Sequence, residues 1–69
     1  MECKVSLTWD NEAYVWLASS ADVPGLALES GSLDALMERV KVAIPELLDI
    51  KDTEITIDFR AERLAQVHV

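Results

Sequence analysis

The chain has few of the residues that cross-link a small protein, bind metals or act in catalysis. It contains one cysteine, one histidine, two glycines and two prolines among 69 residues. The single cysteine, Cys3, excludes an internal disulfide and a zinc site built on several cysteines, and it favours a reducing, cytoplasmic location. His68 is the one histidine, so no zinc-ligand spacing is present. No metal site and no cofactor are expected.

Basic residues are also scarce. Six lysines and arginines stand against thirteen acidic residues, which gives a net charge of −7. Each phosphate contact needs a Lys or Arg, so direct binding of DNA or RNA is not expected. No apolar run reaches the ~20 residues of a membrane span, and the N-terminus has no signal-peptide core. The acidic surface suits solubility, and it also suits a basic partner protein.

The length predicts one small domain over residues 1–69. Its apolar content of 51% is that of a globular chain. A core below roughly 70–80 residues rarely supplies more than about 3–5 kcal/mol of stability. Because no disulfide is available to add stability, association with a second copy is the natural further source of it, and a homodimer is expected.

Alternating residues predict two antiparallel strands at the start of the chain. Val5, Leu7 and Trp9 alternate with polar residues, and residues 14–19 are rich in aromatic and β-branched side chains. A hairpin tip at residues 11–12 makes three pairs on one apolar face: Trp9 with Tyr14, Leu7 with Trp16, and Val5 with Ala18.

The second strand is apolar on its other face as well. Val15 and Leu17 lie there, opposite to the predicted core face. This pattern fits a central strand, or a strand whose second face meets a partner. Val15 and Leu17 are therefore the candidate residues of a partner interface.

A turn follows in the stretch "SADVPGLALESGSL". Pro24 followed by Gly25 predicts a type II turn with Gly25 in the left-handed position, and Asp22 is expected to bind nearby backbone N–H groups. This geometry needs no ligand, so Asp22, Pro24 and Gly25 are interpreted as a structural turn.

A short third strand and a helix come next. Leu26–Glu29 can form the strand, Gly31 ends it, and Ser32 is a good helix N-cap. Pro45 predicts a kink, or an end near residue 44 with a restarted turn that still packs. The apolar stripe of the helix follows a period of three to four: Leu33, Leu36, Met37, Val40, Ala43, Ile44, Leu47 and Leu48.

A fourth strand completes the predicted fold. Ile55, Ile57 and Phe59 alternate with polar residues, and the tail 61–69 suits strand or helix, with strand favoured for part of it. The order β-β-β-α-β predicts a two-layer α+β domain with one helix on one face of the sheet. In the predicted strand order, 3-2-1-4, the last strand runs parallel to the first.

No pattern marks a catalytic centre. Cys3 and His68 could form a nucleophile–base pair, but no third group is marked that would orient the histidine. Asp10, Asp22 and Asp58 could bind Mg²⁺, but the simpler interpretation is that they are solvated surface carboxylates. Two tryptophans and a tyrosine can stack on bases or a ligand, but their strand spacing favours the core. No catalytic residue is assigned and no enzyme activity is predicted.

Three stretches carry a family resemblance. They are "LTWDNEAYVWLASSADVPGLALES", "SLDALMERV" and "IPELL". Together they resemble the HicB-like superfamily of small bacterial domains, and most closely its domain-of-unknown-function family 1902, over about residues 5–50. The matching positions are Trp9, Asp10, Glu12, Ala13, Val15, Trp16, Asp22, Val23, Pro24, Gly25, Leu26, Glu29, Leu33, Leu36, Val40, Pro45, Glu46, Leu47 and Leu48.

The resemblance implies a fold and a role. The fold is a partial ribonuclease-H-like β-β-β-α-β domain without the nuclease residues. The role is that of an antitoxin that covers the active surface of a small basic toxin, a protein that cleaves mRNA. Many such antitoxins add a DNA-binding module, but only residues 49–69 follow "PELL" here, so DNA binding is not carried over. The alternative is a stand-alone homodimer with a small-ligand or purely structural role.

Overall fold

A four-stranded sheet carries one helix on one of its faces. The computed structural model describes residues 1–69, with the elements β1 (Glu2–Asp10), β2 (Val15–Ser19), β3 (Leu28–Ser30), α1 (Leu33–Leu48) and β4 (Thr56–Glu62). The strand order is β3-β2-β1-β4. β2 is antiparallel to β1 and β3, whereas β4 is parallel to β1. The predicted α+β topology with order 3-2-1-4 is confirmed.

The core lies between α1 and one face of the sheet. In β1 the buried residues alternate with exposed ones, as a strand with one covered face requires. Along α1 the buried residues recur every four positions. The predicted stripe is confirmed except at Leu47, which is 45% exposed, whereas Leu48 packs against the core. The buried residues are Cys3, Val5, Leu7, Ala18, Val23, Leu26, Leu36, Val40 and Ile44.

The β1–β2 register differs from the predicted one by two residues. Trp9 faces Trp16 and Leu7 faces Ala18, so the predicted pairing of Trp9 with Tyr14 is wrong. A shift of two residues leaves every side chain on its predicted face, because side chains alternate with a period of two. The apolar face therefore remains the core face.

The longer turn between β1 and β2 explains the shift. The Asp10 side chain accepts hydrogen bonds from the backbone N–H groups of Glu12 and Ala13, at 2.9 and 3.2 Å. Tyr14 closes the turn with a φ of 55° and is 71% exposed. Tyr14 therefore belongs to the turn, and its predicted place in the strand and the core is wrong.

The turn at Pro24–Gly25 is the predicted type II turn. Gly25 has a φ of 88°, and the N–H of Leu26 donates to the carbonyl of Val23 at 3.2 Å. Val23 and Leu26 flank the turn and are both buried. Leu26 is the last residue of this turn, and β3 begins only at Leu28, two residues later than predicted.

Asp22 has a different partner from the predicted one. Its carboxylate accepts a hydrogen bond of 2.8 Å from the backbone N–H of Lys4 in β1. The Ser20 hydroxyl donates to the carbonyl of the same Lys4. β2 has ended at Ser19, so these two side chains bind the strand backbone where a neighbouring strand would otherwise do so.

The helix runs through Pro45. Ser32 caps its start by accepting from the N–H of Ala35 at 3.2 Å, as predicted. Of the two predicted alternatives, the end near residue 44 is wrong, because α1 continues to Leu48, where Asp49 follows in the left-handed conformation. The N–H of Ile50 donates to the Pro45 carbonyl at 3.2 Å. This hydrogen bond belongs to a Schellman motif, which supplies donors to the free carbonyl groups at the C-terminal end of the helix.

β4 extends the predicted strand into the tail. It continues to Glu62, and residues 63–69 have no regular secondary structure. The strand favoured for part of the tail is thus confirmed for residues 61 and 62. The helix α1 is neither long nor apolar enough to cross a membrane.

Candidate protein-binding surface

The face of the sheet opposite α1 carries the two candidate interface residues. The strand register places its side chains in rows that cross all four strands. One row holds Glu29 of β3, Leu17 of β2, Thr8 of β1 and Glu62 of β4. In the neighbouring row Val15 faces Asp10. We call these six residues the Val15–Leu17 surface.

The Val15–Leu17 surface has an apolar centre and an acidic rim. Leu17 is 38% exposed and Val15 is half-buried. The rim carries three carboxylates, those of Asp10, Glu29 and Glu62, and no basic side chain belongs to either row. An apolar centre with a charged rim is the usual anatomy of a protein interface.

Positive charge on this face lies in other rows, next to Asp58. Lys4 faces Asp58 across the β1–β4 ladder. The guanidinium of Arg60 lies 3.2 Å from the carboxylate of Asp58. The carboxylates around Leu17 therefore have no basic partner in their own rows.

A depression of about 370 Å³ adjoins Leu17 at the β3 edge. The Arg39 guanidinium lies in its wall and donates to the Glu29 carbonyl at 2.8 Å. This hydrogen bond joins α1 to β3 at the edge of the Val15–Leu17 surface. The depression is lined by Leu17, Ala18, Ala27, Leu28, Glu29 and Arg39.

The aromatic residues at the opposite end of the sheet are held by one another and by the tail. Trp9 and Trp16 meet edge to face with ring centroids 5.5 Å apart. The Arg63 guanidinium lies 4.0 Å from the centroid of Trp9, and the indole N–H of Trp9 donates to the Asn11 side chain at 2.7 Å. Arg63 thus occupies a ring face that a stacked base would need.

The residues considered for catalysis do not converge. Cys3 is fully buried in the core, while His68 lies in the tail beyond β4. Asp10 ends β1, Asp58 faces Lys4, and the carboxylate of Asp22 is bound to the backbone of Lys4. No group of three or more His, Cys, Asp or Glu side chains is placed to hold a metal ion.

Sequence reasoning located Val15 and Leu17 on the outer face but missed the acidic rim. Glu29 and Glu62 are 33 positions apart in the chain, and only the strand register brings both beside Leu17 and Thr8. Arg63 was missed for the same reason, since its contact with Trp9 depends on the parallel β1–β4 pairing. Alternation gives the face of a residue, whereas its neighbours on that face depend on register.

Comparison with known proteins gives two matches of full length. A family model described as a domain of unknown function, DUF1902, matches residues 2–69. The crystal structure of hypothetical protein TTHA1013 from the extremely thermophilic bacterium Thermus thermophilus is similar, with 38% sequence identity and a TM-score of 0.73. That match covers 100% of both chains. No curated protein matches the chain.

Proposed function

The chain belongs to the DUF1902 family, and from this premise we propose that it is a protein-binding module of the antitoxin type. In this proposal it binds a small basic RNA-cleaving protein and covers that protein's active surface. The observation that carries the proposal is the Val15–Leu17 surface, because its exposed leucine is surrounded by carboxylates that have no basic partner in their rows. The resemblance to HicB-like antitoxins supplies the class of partner.

Charge supports the choice of a basic partner. The chain carries a net charge of −7, which accelerates encounter with a positively charged protein and repels acidic ones. A protein that cleaves RNA needs Lys and Arg side chains to bind phosphates. The carboxylates of Asp10, Glu29 and Glu62 can bind those same groups, so the partner would lose its access to RNA.

The apolar centre adds affinity that charge alone does not provide. Leu17 is 38% exposed on β2, whose backbone is paired with β1 and β3, so little backbone entropy is lost when a partner covers it. Apolar centres that exclude water carry most of the binding energy of an interface, while charged rims set orientation and association rate. Leu17 is therefore the anchor, and the acidic rim orients the partner around it.

The proposal is tested by mixing the purified chain with the product of the neighbouring reading frame, which under this proposal is a small basic protein. We expect a stoichiometric complex in size-exclusion chromatography, weakened by salt because surface charges are screened. Co-expression should also relieve growth arrest caused by that protein.

A pair of matched variants locates the interface. Leu17→Lys places a positive charge opposite Glu29, where it is tolerated within the chain, but it should weaken binding of the basic partner by about tenfold or more. Val42→Lys makes the same change at a residue of α1 that is 64% exposed and should leave binding unchanged. If the wild type forms no complex, the stand-alone alternative is favoured; equal losses in both variants would place the interface elsewhere.

A further inference from the structure

The two edges of the sheet differ in how well they are protected. β3 is an edge of only three residues. β4 is an edge of seven residues, paired with β1 in unbroken register from Glu2↔Thr56 to Thr8↔Glu62. Natural edge strands are blunted by Pro, Lys, bulges or short length. The segment "TIDFRAE" has none of these features. Its charged side chains, which can also blunt an edge, are of both signs and can pair with a second copy, so β4 is the less protected edge.

The chain has little means of covering this edge itself. Residues 59–69 contain no Gly, Pro, Asn, Asp or Ser, the residues that a tight turn back onto β4 needs. Ile57 and Phe59, whose side chains face α1, are only half-buried. A strand supplied from outside would pair the free backbone groups and cover these side chains.

We propose that β4 pairs antiparallel with β4 of a second copy of this chain, around a two-fold axis at Phe59. In this register Asp58 of each copy faces Arg60 of the other, on the outer face of the joined sheet. Phe59 faces its own equivalent on the inner face, and Ile57 faces Ala61. The side chain of Arg60 is 74% exposed, so its guanidinium can reach the opposing strand. The interface is self-complementary, as two-fold symmetry requires.

The charge pattern selects this register over its neighbours. An axis at Asp58 would oppose two carboxylates, and an axis at Arg60 would oppose two guanidinium groups. Axes midway between residues would bring apolar side chains opposite polar ones, because opposed residues share a face. An axis at Ala61 would also oppose Arg60 to Glu62, but it would place Phe59 opposite Arg63. An axis at Phe59 pairs all seven residues of β4 and joins opposite charges outside with only apolar groups inside.

The resulting dimer has one continuous eight-stranded sheet with both helices on the same side. β2 is separated from the new junction by β1 and β4. Leu17 and Val15 thus remain free in the dimer. This inference does not depend on the antitoxin-type role, and either one can fail without the other.

Charge reversal tests the interface. The wild type should sediment as a dimer at about 100 µM chain. In Asp58→Arg an arginine faces Arg60 of the other copy, and in Arg60→Asp two carboxylates meet. Each substitution changes two symmetric contacts, so each should weaken dimerisation by about 10- to 100-fold. An equimolar mixture of the two variants restores opposite charges at both contacts and should form heterodimers.

Controls separate association from folding. Circular dichroism shows whether each variant is folded. Should Asp58→Arg unfold because it meets Lys4, the comparison of Arg60→Asp with Arg60→Lys decides the matter, since only the first should dissociate. Leu17→Lys should leave the dimer intact. A monomeric wild type, undiminished association of Arg60→Asp, or no heterodimer from two folded variants would each overturn the proposal.

Discussion

The carboxylate of Asp22 accepts a hydrogen bond of 2.8 Å from the backbone N–H of Lys4, eighteen residues earlier in the chain. This bond fastens the type II turn to β1 at the point where β2 has already ended. It also fixes the position of Val23, the next residue, which is fully buried. The turn thus connects β1, through the Asp22 hydrogen bond, to the core, through the buried side chain of Val23.

Removing this hydrogen bond should lower stability. Asp22→Ala leaves the Lys4 N–H without its charged acceptor, so the free energy of unfolding should fall by about 1–2 kcal/mol. Asp22→Asn keeps an acceptor oxygen and should lose less. Urea unfolding followed by tryptophan fluorescence measures both. Equal losses would show that the stabilisation comes from the charge and that a neutral acceptor oxygen adds nothing.

The two glycines should respond differently to alanine. Gly25→Ala should cost about 1–2 kcal/mol, because its φ of 88° is unfavourable for a residue with a Cβ. The added Cβ itself would lie 3.7 Å from the nearest Leu47 atom, an ordinary contact. Gly31→Ala is the matched control, with its Cβ 3.8 Å from the Tyr14 carbonyl oxygen and an expected change within about 0.5 kcal/mol. Thermal unfolding of both variants checks this difference.

Replacing the proline inside α1 should stabilise the protein. Pro45→Ala supplies an N–H for the carbonyl of Lys41, a bond that proline cannot make. The gain is reduced because alanine leaves the unfolded chain more freedom, so a net rise of about 1 kcal/mol in the free energy of unfolding is expected. Glu46→Ala, one position along, controls for helix propensity and should change little. A destabilised Pro45→Ala would mean that the proline fits the last turn better than a hydrogen-bonded alanine.

The helix stripe gives a test of the core. Leu36 is fully enclosed, whereas Val42 on the same helix is 64% exposed. Leu36→Ala should cost about 2–5 kcal/mol by leaving a cavity, and Val42→Ala should stay within about 0.5 kcal/mol. Denaturant unfolding of the pair measures the contrast. Similar losses at both positions would contradict the packing of α1 on the sheet.

Periodicity predicted the parts of the fold that depend on one face being buried. The alternation in β1 and the spacing of Leu36, Val40 and Ile44 placed the sheet and the helix correctly. The Pro24–Gly25 turn was also predictable, because proline and glycine restrict the backbone locally. These features need only short stretches of sequence.

The errors arose where hydrogen bonds or turn geometry, which hydrophobic alternation does not reveal, decide the local structure. The Asp10 carboxylate lengthens the hairpin turn and moves Tyr14 out of the strand. Asp22 binds a strand backbone instead of its own turn. Leu26 closes the Pro24–Gly25 turn, so β3 starts only at Leu28. The acidic rim around Leu17 likewise depends on register. Hydrophobic alternation fixes the face of each side chain, but a strand shifted by two residues keeps the same faces and has different neighbours.

The parallel pairing of β1 with β4 joins the first and last regular elements of the chain. During synthesis, β1 leaves the ribosome with its β4 side open and cannot complete the sheet until residues 56–62 have emerged. Contacts between such distant segments raise contact order and slow folding. Folding of this domain therefore cannot be completed before residues 56–62 have left the ribosome, because the sheet needs the C-terminal strand beside the N-terminal one.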